Sequence, residues 1–142
     1  MTGTMPIRSK CACTRVRRAA RVLTSLYDEA LATTGLTIAQ FALLRAVGRL
    51  ETPNVSELAE EMALERSTLG RNVLVLQRMR LLDVTEGDDL RARRITMTTR
   101  AQRLVSSCLP KWEQAQRKVE ARLGKEGVST LFDLLERLEA VT

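Results

Sequence analysis

Apolar residues recur along most of this chain every three or four positions, the spacing that gives a helix one apolar face. Val16, Ala19, Ala20, Leu23, Leu26, Tyr27, Ala30 and Leu31 follow it first, and they predict a long helix over 12–33, broken near Gly35. Thr37 with Gln40 three residues on has the form of a capping box and starts a second helix that runs to Leu50. Pro53 and Asn54 mark a turn. Ser56 reads as the cap of a short third helix, with Leu58, Ala59 and Met62 inward, ending near Leu64. Residues 65–82, ERSTLGRNVLVLQRMRLL, make a fourth. Viewed down its axis, Leu69, Val73 and Leu76 fall within about 60° of arc, with Met79 at the edge. Ser67, Arg71 and Arg78 point the opposite way, flanked by Thr68.

After Leu82 the period changes. A turn cluster of Glu86, Gly87, Asp88 and Asp89 separates Val84 from an alternating Ile95, Thr96 and Met97, which predicts a β-hairpin with a charged tip. Thr98 then caps a helix that runs to Gly124 with Ala101, Leu104, Val105, Cys108, Leu109, Trp112, Ala115 and Val119 inward. Pro110 lies inside it, which predicts a kink. A last helix over 127–140 is expected to bury Val128, Leu131, Leu134, Leu135 and Leu138.

Two short helices joined by a tight turn and followed by a hairpin describe a winged helix-turn-helix, a mainly α fold with a small β-wing. The expected organisation is one domain over 1–142, with a flexible arm at 1–11, the winged unit at 37–98 and long helices at 12–34 and 99–142. Those flanking helices are longer and more apolar than a winged helix needs. A symmetric homodimer built from both chain ends would cover them.

Charge sharpens this picture. The 142 residues carry a net charge of +6, and the distribution says more than the total. Residues 1–27 hold six basic side chains and no acid, residues 51–65 five acids and no base, and residues 66–103 nine arginines and four acids. Segregation of this kind points to a basic surface that meets an anion, with nucleic acid foremost; solvated helix faces are the competing explanation. Histidine is absent, which removes His-based acid–base catalysis, Ser-His-Asp and Cys-His nucleophile systems and His-ligated metal sites. No phosphate loop and no GxGxxG is present. The expectation is a protein that is not an enzyme and uses no cofactor and no metal. Without an 18-residue apolar run or a secretory signal pattern, it is also expected to be cytoplasmic and free of the membrane.

The order of elements resembles the multiple antibiotic resistance regulator (MarR) family of dimeric winged-helix repressors. The residues that carry the resemblance are GLTIAQFALLRAV, VSELAEEMALERSTLGRNVLVLQRMRLL and DDLRARRITMTTRAQRL, and with the end helices it covers residues 12–140. It implies that the helix over 66–80 enters the major groove, with Ser67, Thr68 and Arg71 at contacting positions. It also implies that Arg91 is the wing-tip arginine reaching into the minor groove, and that Asp89 is the acid that orients it. Arg78 and Arg93 complete the candidate DNA-binding set. The chemistry agrees: arginine pairs bidentately with guanine O6 and N7, a narrow minor groove attracts an inserted arginine, and hydroxyls with helix N-terminal amides suit phosphates. In a dimer, two copies about 34 Å apart would read a pseudo-palindrome in double-stranded DNA. Three features depart from the family pattern: Leu90 stands where a second wing arginine is common, the wing tip is acidic, and Gly70 lies inside the recognition helix. The first two motivate a rival reading, a winged-helix interaction module that has lost DNA binding and modulates another regulator.

A repressor needs an input. Cys11 and Cys13 lie at the start of the first helix among Lys10, Arg15, Arg17 and Arg18, where cations and a helix N-terminus favour the thiolate. They are candidates for oxidant sensing, against the plainer reading of two incidental cysteines in a frayed arm. Spaced by two residues they point about 200° apart on a helix, or sit nearly 7 Å apart when extended, so a bond between them is strained. A cysteine of a second subunit, or Cys108, is the easier partner; Cys108 alone reads as a small core residue. A soft-metal site lacks ligands. Peroxide-sensing relatives keep their reactive cysteine near the position of Leu23, where this chain has none. The other input that the resemblance implies is a small aromatic or anionic effector bound between the dimer helices and the winged unit, with Arg15, Arg18 or Arg45 as the cation.

Overall fold

A computed structural model describes residues 8–142, the side chain of Leu90 apart. Residues 1–7 of the expected arm lie outside the described residues. Helix α1 runs Ala12–Leu31 and ends in a 3-10 turn, Ala32–Thr34, closed by Gly35 at a φ of +82°. That is the left-handed conformation that favours glycine. Helix α2, Ile38–Leu50, begins at the capping box that the sequence spells: the Gln40 N–H donates to Thr37 Oγ1 at 3.2 Å and the Thr37 N–H donates back to Gln40 Oε1 at 3.1 Å.

Helix α3, Val55–Met62, is capped two residues before the expected position. Asn54, not Ser56, caps it: its Oδ1 accepts the Glu57 N–H at 2.8 Å and its own N–H donates to Glu57 Oε1 at 3.4 Å. Asn54 already stands three residues before a glutamate, and this reciprocal pair satisfies two orphan donors, which Ser56 cannot do. Asn54→Ala is expected to cost about 1 kcal/mol of stability, read as a lowered urea midpoint with an unchanged slope.

The turn from α3 to α4, Arg66–Arg78, is made by Ala63 at a φ of +52°, with the Leu64 N–H bonded back to Ala59 O at 3.0 Å. Helix α4 stops earlier than the apolar run suggested. Arg80 adopts a φ of +61° and the Leu81 N–H returns to Leu76 O at 2.9 Å, so Leu81 and Leu82 turn into the core instead of continuing the helix. Strands β1, Leu82–Val84, and β2, Ile95–Met97, pair antiparallel, with Leu82 opposite Met97 and Val84 opposite Ile95. The predicted hairpin is therefore present, with a 3-10 turn, Leu90–Ala92, at its tip.

Helix α5, Thr99–Glu139, is capped by Thr98 as expected. Its one non-helical residue is Gly124, at a φ of +73° and a ψ of 165°; the backbone stays helical through Pro110, so the break falls at the glycine and not at the proline. Pro110 and Ser106, whose carbonyl loses its partner, are both exposed, so water can take the freed acceptor.

Leu31, Phe41, Leu44, Leu58, Leu69, Leu76, Ile95 and Cys108 form one buried cluster where α2, α3, α4, the sheet and the first half of α5 meet. Two polar contacts tie α1 to this unit. The Ile38 N–H donates to Asp28 Oδ1 at 2.7 Å, and the Tyr27 hydroxyl donates to Gln116 Oε1. Burial, then the nearby Glu120, pushes the Tyr27 phenol above its ordinary pKa and keeps it a donor. The distal half of α5 departs from expectation. Val128 is buried, but Leu134, Leu135 and Leu138 are exposed, as are Val16 and Val22 on α1. Val16, Val22 and Leu134 line an apolar groove of about 1010 Å³ between α1 and α5. Among the described residues nothing covers these exposed side chains.

Candidate nucleic-acid interface

The two faces of α4 separate as the periodicity requires. Leu69, Val73 and Leu76 are buried, while Ser67, Arg71 and Arg78 are exposed and Thr68 is half-buried. Arg71 Nη2 lies 3.4 Å from Thr68 Oγ1, a long contact that leaves the guanidinium available to a stronger acceptor. Glu65 occupies the N-cap with no side-chain hydrogen bond to the helix. The first-turn N–H groups of α4 thus receive no protein cap and stand beside Ser67 and Thr68, an arrangement that suits a phosphate oxygen.

Asp89, Arg91 and Arg93 are exposed on the wing. Asp89 does engage Arg91, but through the backbone: the Arg91 N–H donates to Asp89 Oδ1 at 3.2 Å, and the Ala92 N–H bonds Asp89 O at 2.9 Å. Asp89 therefore shapes the 3-10 turn that carries Arg91; among the described residues no ion pair joins the two side chains. A cleft lined by Gln77 of α4 and by Val84, Thr85 and Arg93 of the wing lies between the two elements.

Sequence reasoning missed the residue that seats the wing. Arg94 Nη1 pairs with Glu57 Oε1 at 3.0 Å, on the same carboxylate oxygen that helps cap α3. Its N–H donates to Thr85 Oγ1 at 2.8 Å, and its carbonyl accepts the Thr85 N–H at 2.9 Å. Next to it the Ile95 N–H bonds Pro53 O at 2.9 Å. The base of the wing is in this way fastened to the start of α3. The only local signal was Asn54 with Glu57; the Arg94 contact spans 37 residues and has none.

Cys11 takes the N-cap position of α1 with an extended backbone, and its N–H donates to Ser9 Oγ at 3.1 Å. The Thr14 hydroxyl and then the Thr14 N–H hold its thiol below the ordinary value against an opposing desolvation effect. Cys13 is exposed, whereas Cys108 is sealed in the core. In a Cys13→Ser chain, alkylation of Cys11 is expected to reach half its plateau rate at a lower pH than in an unstructured cysteine peptide. Thr14→Ala should move that midpoint back up, as followed by mass spectrometry.

A cleft of about 380 Å³ opens between α2, α3 and α5, lined by Phe41, Ala42, Arg45, Met62 and Trp112. The Arg45 guanidinium lies 5.8 Å from the Phe41 ring centroid, while Arg49 at the rim is held by Glu61 at 3.3 Å. Of the three cations considered from sequence, Arg45 is the one in this cleft; Arg15 and Arg18 line the α1–α5 groove. Among the described residues no cluster of three metal-ligating side chains occurs, and no helix is long and apolar enough to cross a membrane.

A sequence profile of the MarR family matches residues 34–93. No curated protein matches the chain. Among solved structures, the M. tuberculosis transcriptional regulator MosR is 34% identical, with 93% of this chain and 98% of that chain covered at a TM-score of 0.80. The same regulator in complex with DNA aligns at 38% identity, with 92% and 98% covered and a TM-score of 0.79. BpsR of Bordetella bronchiseptica, a protein whose DNA binding is regulated by 6-hydroxynicotinic acid, is 22% identical, with 96% and 99% covered and a TM-score of 0.83, a likeness of fold.

Proposed function

The chain belongs to the MarR family, and from that premise we propose that it is a homodimeric, sequence-specific DNA-binding repressor of transcription. One observation carries the reading: the outer face of α4 presents Ser67 and Arg71 near a helix N-terminus that no side chain caps, and Arg78 at its far end, while its inner face is locked into the core. That face suits insertion into the major groove, with Arg91 and Arg93 on the wing directed to the flanking minor groove. The DNA complex of MosR, 98% of which aligns with this chain, supports the reading. The exposed leucines and valines of α1 and α5 support a dimer, because pairing two copies would cover them and set two recognition helices about one helical turn of DNA apart.

The signal that releases the DNA enters at one of two places. Oxidation at Cys11 and Cys13 is favoured by their exposure and by the depressed pKa of Cys11. A small aromatic anion is favoured by the cleft of Phe41, Trp112 and Arg45, which joins apolar walls to one cation.

Fluorescence anisotropy on DNA from upstream of the chain's own gene tests the reading, with unrelated competitor DNA present. Expected is tight binding in reductant that weakens steeply as salt rises, because phosphate contacts release counterions. Loss of binding in mild oxidant, absent from a Cys11→Ser, Cys13→Ser chain, would assign the signal to the cysteines. Equal binding in both redox states would send the search to the Arg45 cleft. No binding at any salt, confirmed by genome-wide site selection, would favour the interaction-module reading.

A further inference from the structure

Leu74 is 43% exposed in the second half of α4. It does not belong to the buried stripe of Leu69, Val73 and Leu76; at 100° per residue it lies within about 60° of arc of Ser67, Arg71 and Arg78. An apolar side chain thus stands among the polar and cationic groups that face outward. Val75, exposed on the flank, borders a shallow cleft against α2 with Gln40 and Leu43 and has a place within the fold.

Gly70 precedes Leu74 by four residues, one turn nearer the helix N-terminus. It lies within α4 without a positive φ, and a Cβ built on it meets nothing within 4 Å. The fold therefore does not ask for glycine here, and alanine would serve the helix better. Leucine side chains in helices lean back over the preceding turn, so Leu74 leans toward the bare backbone at Gly70. An apolar knob beside a notch results, framed by Arg71 and Arg78.

Base edges in the major groove carry one apolar feature, the C5 methyl of thymine. We propose that Leu74 and Gly70 form a thymine-reading pair, in which Leu74 covers the methyl and the missing side chain at Gly70 lets the base edge come close. This rests on the DNA-binding reading and adds to it a residue that discriminates bases without a hydrogen bond. Arg71 and Arg78 supply attraction on either side, and the methyl then displaces water from a surface that otherwise stays wet.

The test begins with sites selected from a random duplex library by the full chain. Each thymine is then replaced singly by 2′-deoxyuridine, which removes the methyl and nothing else. Expected is one thymine per half-site whose methyl removal weakens binding about four-fold, the worth of one buried methyl. Leu74→Ala removes the contact from both half-sites, so it should weaken binding to the parent duplex by about 16-fold, four-fold for each, and be indifferent to that methyl. Gly70→Ala should melt at a higher temperature yet bind the parent duplex more weakly. Equal binding of every deoxyuridine duplex, or a methyl effect that survives in Leu74→Ala, overturns the pairing while leaving DNA recognition by α4 intact. Selection of no site by the unmodified chain would remove both.

Discussion

Leu69→Ala is expected to cost about 2–5 kcal/mol of stability, the range for emptying a fully buried leucine site in a core. Leu69 has no exposed surface and sits with Val73 and Leu76 in the stripe by which α4 rests on the rest of the core. Its removal leaves a cavity under the first turn of the helix, directly beneath Ser67 and Thr68. The recognition face is exposed and held to the core only through that inner stripe, so the loss also disturbs the outward geometry. At roughly 3–4 °C per kcal/mol for a chain of this size, the melting temperature should fall by ~6–20 °C, at a fixed protein concentration because dimerisation contributes. Leu74→Ala, five residues on and exposed, should stay within about 0.5 kcal/mol of the parent. Calorimetry on the two variants side by side measures the asymmetry of the helix. Equal effects would mean that α4 is not seated as described.

What the sequence made legible was what local chemistry dictates. Thr37 and Gln40 spell a reciprocal cap, Thr98 begins α5, and the alternation at Ile95 to Met97 gives a strand, because each signal and its partner lie within a few residues. The outward set on α4 was legible for the same reason, since helical periodicity assigns faces without knowledge of the neighbour. The errors have physical causes as well. Ser56 and Asn54 are two good capping residues two positions apart, and Asn54 prevails because it completes a reciprocal pair with Glu57. Pro110 was expected to bend α5, but its fixed φ is helical and the carbonyl it orphans faces solvent, whereas Gly124 adopts a conformation that other residues resist.

The interactions that seat the site were not legible, because their partners are distant in the chain. Arg94 finds Glu57 across 37 residues, and Ile38 finds Asp28 across the turn after α1, ten residues back; in each case a charged side chain beyond the reach of a local motif anchors an element that the pattern alone leaves unplaced. The apolar stripe of the last helix is legible as a stripe, and its length and apolarity point to a cover built from both chain ends of a dimer. Leu134, Leu135 and Leu138 remain exposed, and a periodic pattern cannot say whether the surface that covers it belongs to the same chain or to another.

Arg71→Ala should weaken binding to a selected DNA site by about 5- to 150-fold for each half-site, the ~1–3 kcal/mol that a bidentate base contact contributes. The effect belongs to recognition and not to folding. Arg71 is exposed, makes only the long contact to Thr68, and forms no ion pair among the described residues, so its removal should leave the melting temperature close to the parent's. Arg78, at the last position of α4, offers the contrast. If it meets a phosphate, Arg78→Ala weakens binding to all duplexes alike and lowers the slope of log K against log salt by about 1 per subunit, about 2 for the dimer, while the Arg71 variant also relaxes base preference at one position of each half-site. Anisotropy titrations of both variants against the selected site, its single-base mismatches and unrelated DNA separate the two roles. Uniform loss for Arg71→Ala would reassign that residue to the backbone, and unchanged affinity would remove it from the reading surface. The same titrations locate the helix in the groove, because base contacts by its first turns and phosphate contacts at its last require α4 to enter N-terminus first, as its uncapped amides also favour.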